Sequence, residues 1–451
     1  MGKSVLHYTE IFQEKIDALY ANGGGRLVVP KGQYVVSTLF LRSGVEIVLE
    51  EGAELLGSLN FYDYARHETI EYPLYQDASH SFFHTAMFVG IDCENIKITG
   101  KGKIDMRSVW DEENVRHMAH RGAKCIALKN CQKVEISEIE IYNATDLAIY
   151  FAGCENVDIH GIKMRVHIDG ISPDNSKNVR IYDCDVETGD DGIVFKSSYT
   201  LNRLDICKNI HVWNCKVKSR CNALKFGTET NGGFEDILVE DIEIKETRIT
   251  GISIESVDGA VIDGITIRNV KMVNVNAPIF IHLGKRMRGP VGRKIGQIRN
   301  VTLENIMASG PYEGYEAIPW GYVSYKERDT YQYPWKFGGG AGVRLQDCDK
   351  DGDWQMTSNI CGLKESPLEN ILLKNVHLKL HGGVCECNKD VPEEAQDYPE
   401  VFVYGRILPA KGIYFRHING LILDNVSVQT DCPDLRQDFV FNNISNYKEV
   451  R

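Results

Sequence analysis

The sequence predicts an all-β chain wound as a parallel β-helix, and two features of its 451 residues carry that prediction. One is a recurring six-residue segment: Cys93-Glu-Asn-Ile-Lys-Ile, Cys131-Gln-Lys-Val-Glu-Ile, Cys154-Glu-Asn-Val-Asp-Ile, Ser176-Lys-Asn-Val-Arg-Ile and Cys207-Lys-Asn-Ile-His-Val, with later copies opening at Phe234, Leu368 and Ile418. Each begins with turn-forming residues and then alternates β-branched with polar side chains, the pattern of a short half-buried strand. The other is spacing. With the fourth residue of each segment as a marker, Val134, Val157, Val179, Ile210, Ile237 and Val261 follow at intervals of 23, 22, 31, 27 and 24 residues. A step in the low twenties is too short for a helix pair and suits one coil of a solenoid.

A solenoid must cover its open ends. Residues 9–25 are read as the N-terminal cover: Ile11, Phe12, Ile16, Leu19 and Tyr20 form an apolar face at helical spacing, and Gly23-Gly24-Gly25 ends the helix. No comparable helix signal follows residue 430. The cysteines share the coil phase, with Cys93, Cys131, Cys154 and Cys207 three residues before their markers and Cys184 and Cys215 five after. Stacked buried thiols are the expected result, because no paired C-x-x-C spacing points to metal. Strand spacing of roughly 4.8 Å also permits disulfides between coils.

The whole chain, 1–451, reads as one domain with loop insertions at 302–367 and 381–412. The first carries Tyr312, Tyr315, Trp320, Tyr322, Tyr325, Tyr331, Tyr333, Trp335 and Phe337. These serve either as a wall for sugar rings or as a small satellite core.

Composition narrows the partners. A formal net charge of −12 argues against a general nucleic-acid binder, and no apolar run approaches the roughly 18 residues of a membrane span. The N-terminal residues lack the apolar stretch of a signal peptide, and Leu6 breaks the myristoylation pattern. Thirteen cysteines, an odd number, then favour reduced thiols and a cytoplasmic location.

The chemistry concentrates in His167-Ile-Asp-Gly and Thr188-Gly-Asp-Asp-Gly. Asp169 and Asp191 lie twelve residues after Val157 and Val179, and Asp146 and Asn222 lie twelve after Val134 and Ile210. The predicted ladder is therefore Asp146, Asp169, Asp191, Asn222, with Asp190 beside it. Crowded acids raise at least one pKa, a cost that acid–base catalysis puts to use. Asp-Gly turns and an oxygen-only calcium site are the competing readings.

These residues carry a resemblance. The chain resembles glycoside hydrolase family 28, the polygalacturonase-like enzymes, through Gly189-Asp190-Asp191, through Asp169 of the first family motif, and through segments near Val28, Leu49, Ile98 and Arg416. The resemblance implies a right-handed parallel β-helix, the pectin-lyase-like solenoid, and an inverting hydrolysis that needs no metal or cofactor. Asp190 would be the general acid, with Asp169 and Asp191 activating water across a gap of roughly 6.5–9.5 Å. To reach that gap, Asp190 is expected to diverge from the ladder. Two family positions depart from the pattern. Asn222 stands where the family has histidine, and Ser253 and Glu255 stand where it has the arginine and lysine that hold a uronate. An acid there would repel a uronate.

His167, Asn222, Lys225, Glu229 and Glu255 are candidate substrate contacts, and Lys285 and Arg286 a candidate replacement anion grip. The opening of a calcium loop at Asp347-Cys-Asp349-Lys-Asp351-Gly352 lacks its final Glu, Ser358 standing there, and His377, His381, Cys385 and Cys387 read as packing rather than zinc ligands. The expected function is hydrolysis of pectin-derived or related plant oligosaccharides, with specificity diverged from ordinary polygalacturonase and exo-acting because the large loops after Val301 close one end of the cleft. A β-helix lyase or epimerase, or an inactive carbohydrate-binding homologue, is the alternative; oligomeric state is left open.

Overall fold

Every coil needs three short strands, because a flat ribbon of chain closes on itself only by turning corners. One complete coil consists of Gln132–Ser137, Glu140–Tyr142 and Ile149–Ala152, and the next of Glu155–His160, Lys163–Val166 and Ile171–Asp174. The three pairs run parallel and in register. The computed structural model describes residues 8–109, 121–310, 356–384, 387, 390–393 and 398–450. It is 60% strand and 5% helix, and the fold is the right-handed parallel β-helix expected.

The apolar markers stack into one inward column, from Ile96 through Val134, Val157, Val179, Ile210 and Ile237. Ile265, not Val261, continues it, because Val261 pairs with Gly233 at the start of its strand. Val301, Ile371 and Leu421 complete the column. The core is this column and its neighbours, all buried.

Many corners are turned by a residue at positive φ, mostly asparagine, whose side chain hydrogen-bonds locally and tolerates that region. Asn269, Asn305, Asn375 and Asn425 form a side-chain ladder, each amide bonded to the next at 2.9–3.0 Å. The cysteines stack as thiols: the Cys131 N–H donates to Cys154 Sγ at 3.3 Å, Ser176 takes the next rung, and every described cysteine is free.

The cover at the start is the helix Thr9–Ala21, which buries Phe12 and Ile16. Ile11 and Tyr20, expected on the same face, are exposed, because residues 12, 16 and 19 already span the stripe in contact with the coil. At the other end lie the bare strands Gln437–Ser445 and Lys448–Val450. The interval 302–367 is not loop throughout. The strand Gln297–Ser309 runs well into it, and Ser358–Cys361 pairs on both sides within the sheet. The nine aromatic residues of that insertion, the Asp347–Gly352 segment and Cys385 lie outside the described residues. Among the described residues, no helix is long and apolar enough to cross a membrane.

Candidate active site

Strand alternation decides which side chains reach the outer surface. In Ile193–Ser197, Ile193 and Phe195 face the core, so Val194 and Lys196 face outward. Register then builds outward columns along the solenoid. One runs Val194, Lys225, Ser253, Phe280, Asn359 and Tyr414; the next contains Asp174 and Lys196, and further on Glu255, His282, Cys361 and Arg416. Just ahead of them stand Asp169 and Asp191, each two residues before paired isoleucines, and Asn222 in the same place before Leu224.

Asp146 does not belong to this ladder. Ile149 pairs with Ile171, but three residues separate Asp146 from its isoleucine where two separate Asp169 from Ile171. One extra residue in the corner rotates the carboxylate away, and it lies 3.2 Å from the buried Lys124 Nζ instead. A fixed count of twelve failed because it assumed corners of equal length.

Asp169, Asp190 and Asp191 are 4%, 9% and 4% exposed, so they form a largely buried group rather than an open face. Asp191 Oδ1 accepts from the Asn222 side chain at 2.8 Å and from its backbone N–H at 3.2 Å. Lys225 Nζ stands 3.5 Å from Asp191 and 3.7 Å from Glu255, and donates to Glu400. Lys196 Nζ donates to Glu229 at 2.9 Å and lies 4.0 Å from Asp169. Asp190, Asp191 and Cys221 each bring one atom within 4.8 Å of the others. Asp190 therefore diverges less than strand alternation implies, because residues 189–192 form a bend and not a strand.

Burial sets the protonation of the group. It pushes Asp169 up to about 8, with the Asp190 charge adding to it and Lys196 opposing. Asp190 is raised by burial and then by Asp191. Glu255 reaches about 8 by burial, with Lys225 pulling down and Glu400 pushing up. Burial also presses Glu229 upward, but Lys196, His80 and Arg286 outweigh it and hold that carboxyl well below its usual range.

The remaining expected contacts are dispersed. His167 Nε2 meets Ser108 Oγ at 2.9 Å in a buried pair. Lys285 turns to Glu365 at 2.9 Å, and Arg286 is held by Asp258 and by the Thr228 carbonyl at 2.6 Å. His377 bonds Ser427 Oγ at 2.8 Å.

Two chain segments pack on the solenoid on either side of this carboxylate group. Before it, Phe83 stacks on Tyr150 at 5.2 Å, and Tyr72 Oη donates to the Thr200 carbonyl at 2.6 Å. After it, Val401, Val403, Tyr404 and Leu408 pack over Ala277, Phe280 and Tyr414, while Tyr398 Oη meets Thr228 Oγ1 at 2.8 Å. Sequence reasoning missed Lys196, Glu400 and His80. Extending the alternation from Ile193 finds Lys196. Nothing local marks Glu400 or His80, which reach the site on loops.

A parallel β-helix that gathers three carboxylates in one largely buried group is a solenoid with a candidate acid–base site. The family assignment agrees: residues 23–313 match Glycosyl hydrolases family 28, and the chain belongs to that family. It is 26% identical over 250 residues to a "Probable polygalacturonase" of Vitis vinifera, covering 52% of this chain and 51% of that protein. It is 25% identical over 288 residues to an "Exo-poly-alpha-D-galacturonosidase" of Dickeya chrysanthemi, covering 52% of this chain and 47% of that protein. The matches thus span about half the length of these curated relatives. Among solved structures, the exopolygalacturonase of Thermotoga maritima aligns with a TM-score of 0.64 at 19% identity, over 84% of this chain and 85% of that one. The family 28 exopolygalacturonase of Yersinia enterocolitica aligns with a TM-score of 0.64 at 17% identity, over 98% and 76%. At such identities the likeness is one of fold.

Proposed function

We propose that this chain is an inverting glycoside hydrolase that trims pectin-derived or related plant oligosaccharides from one end, with a specificity diverged from that of ordinary polygalacturonases. The observation that carries the reading is the convergence of Asp169, Asp190 and Asp191 in a largely buried group flanked on both sides by packed chain segments, with Lys196 and Lys225 as counter-charges.

In this reading Asp190 is the general acid. Its proton passes to the glycosidic oxygen as the bond from that oxygen to the anomeric carbon breaks. A water molecule attacks the anomeric carbon from the opposite face and gives its proton to the Asp169–Asp191 pair. Asp191 suits the accepting role because two N–H groups and an ammonium already face it. Asp190 suits the donating role because burial and the Asp191 charge favour its protonated form. Asp169 also favours its protonated form near neutrality, which leaves the accepting role to Asp191.

End-wise action is the reading that the two flanking segments favour, since a substrate hemmed in on both sides presents a terminus. The working compartment in this reading is reducing, supported by the free thiols stacked along the coils. Time-resolved product analysis on pectic oligosaccharides tests the proposal. Release of one small product from the first minutes is expected; internal cuts would sink end-wise action, and an ultraviolet-absorbing unsaturated product would assign a lyase instead.

A further inference from the structure

Three carboxylates compete for the one ammonium of Lys225. Asp191 lies 3.5 Å from Nζ and Glu255 lies 3.7 Å from it, whereas Glu400 takes the short hydrogen bond. A separation of 3.5 Å is past the usual reach of an N–H···O bond, so the lysine lends Asp191 its charge but bonds elsewhere. Glu255 is pushed up to about 8 by burial and is mostly neutral at pH 7, with Ser253 Oγ turned to its Oε1 at 2.7 Å. Asp191 and Glu400 are left to share the cation. Burial raises the Glu400 carboxyl, and the bonded ammonium opposes that rise.

Asn222 repeats the arrangement. Its Nδ2 donates to Asp191 Oδ1 at 2.8 Å and lies 3.2 Å and 3.3 Å from the two Glu400 oxygens. Both side-chain donors that face Asp191 are therefore shared with Glu400, on a segment that Tyr398 Oη also fixes to Thr228 Oγ1 at 2.8 Å. Asp190 and Lys196 add their charges from the neighbouring positions. The Cys221 thiol and the Tyr398 phenol, both pushed up by burial, carry no charge at pH 7. The pattern recurs at Asp169, where Lys196 lies 4.0 Å from the aspartate but bonds Glu229 at 2.9 Å. In each case a glutamate takes the hydrogen bond of the lysine that faces an aspartate.

We propose that Glu400 is a positioning residue for the hydrolysis: by drawing the Lys225 ammonium and the Asn222 amide to itself, it keeps Asp191 a competent proton acceptor. The inference rests on the glycosidase reading, with Asp191 in the accepting role. A carboxylate fully bonded by an ammonium holds its charge too firmly to take a proton readily from water. Glu400 limits that hold in two ways, by occupying the donors and by placing a second negative charge beside them.

The test follows Asp191 directly. Carbon NMR of the aspartate carboxyls of the full chain is recorded across the acid range, with Asp191→Asn assigning the signal. In Glu400→Gln, which keeps the size of the side chain and drops its charge, the Asp191 midpoint is expected about one pH unit lower. Glu400→Ala removes the charge in a second way and is expected to shift it in the same direction, whereas Glu400→Asp is expected to return it most of the way. Tyr398→Phe, which loosens the same segment without touching a charge, is expected to leave the midpoint in place. With pectic oligosaccharides, kcat of Glu400→Gln is expected to fall about three- to tenfold at a KM within about threefold, and the acid limb of its rate profile to move to lower pH. A midpoint that stays put in Glu400→Gln, or that moves equally in Tyr398→Phe, overturns the inference. So does a shifted midpoint with kcat and acid limb unchanged, and both outcomes leave the hydrolase reading intact. Absence of turnover by the wild-type chain on every pectic oligosaccharide fails the hydrolase reading instead, and the NMR titration then decides by itself whether Glu400 governs Asp191.

Discussion

Lys225 Nζ lies 3.5 Å from Asp191 on the preceding coil, and Glu400 meets the same ammonium from a point 175 residues further along the chain. One buried cation thus ties the carboxylate ladder to the flanking loop.

Removal of that cation leaves Asp191, Glu255 and Glu400 facing one another without a counter-charge. Lys225→Met is expected to lower stability by about 3–5 kcal/mol at pH 7. Urea unfolding checks this, and a loss under about 1 kcal/mol would mean the three acids are not held together by the lysine.

Asp190→Asn removes the proposed proton donor and keeps its shape. Turnover of the best pectic oligosaccharide is expected to fall by about 10²–10⁴-fold, with its affinity held within a few-fold. An unchanged rate rules out Asp190 as the acid; wild-type binding without any turnover supports an inactive carbohydrate-binding protein.

The nearest approach of Asp190 and Asp191, within 4.8 Å, is short for an inverting pair. Inversion therefore requires the bound substrate and its water to hold the donating Asp190 oxygen and the accepting carboxylate further apart than this. Proton NMR of the anomer first released distinguishes the cases: the inverted anomer is expected, and a retained one would make a carboxylate the nucleophile.

Two pH effects share a cause. Asp169 and Glu255 have folded-state values of about 8, far above those of the unfolded chain. Between about pH 4 and pH 8 the unfolded state therefore holds fewer protons than the folded one, and stability falls as pH rises through this window. His80, raised by Asp77 against the lowering effect of burial, acts in the same direction. Urea unfolding at pH 5.5 and pH 8 is expected to show the protein weaker at pH 8, with Asp169→Asn recovering part of the loss. The rate is likewise expected to decline toward high pH, where Asp190, raised by burial and by Asp191, loses the proton it donates.

The outer ladder makes a separate demand. Asn305 sits at φ 54° and bonds Asn269 and Asn375. Asn305→Ala is expected to cost about 2 kcal/mol, and Asn305→Gly, which keeps the backbone relaxed, about 1 kcal/mol. Thermal unfolding of the two variants checks the order.

Local sequence determined the coil. Alternation of β-branched and polar residues, with a repeat in the low twenties, set the strands, the inward column and the places of Asp169, Asp191 and Asn222, because a side chain's face in a strand follows from its parity. Parity also governs Lys196 and Lys225. Corner length is not a local property: one extra residue sent Asp146 to Lys124. Only the tertiary structure brought Glu400 and the 398–410 segment onto the carboxylate group and His80 near it, and only it committed Lys285 to Glu365 and Arg286 to Asp258. Charges on loops have no phase to read, and their partners are fixed by where the loops come to rest on the solenoid.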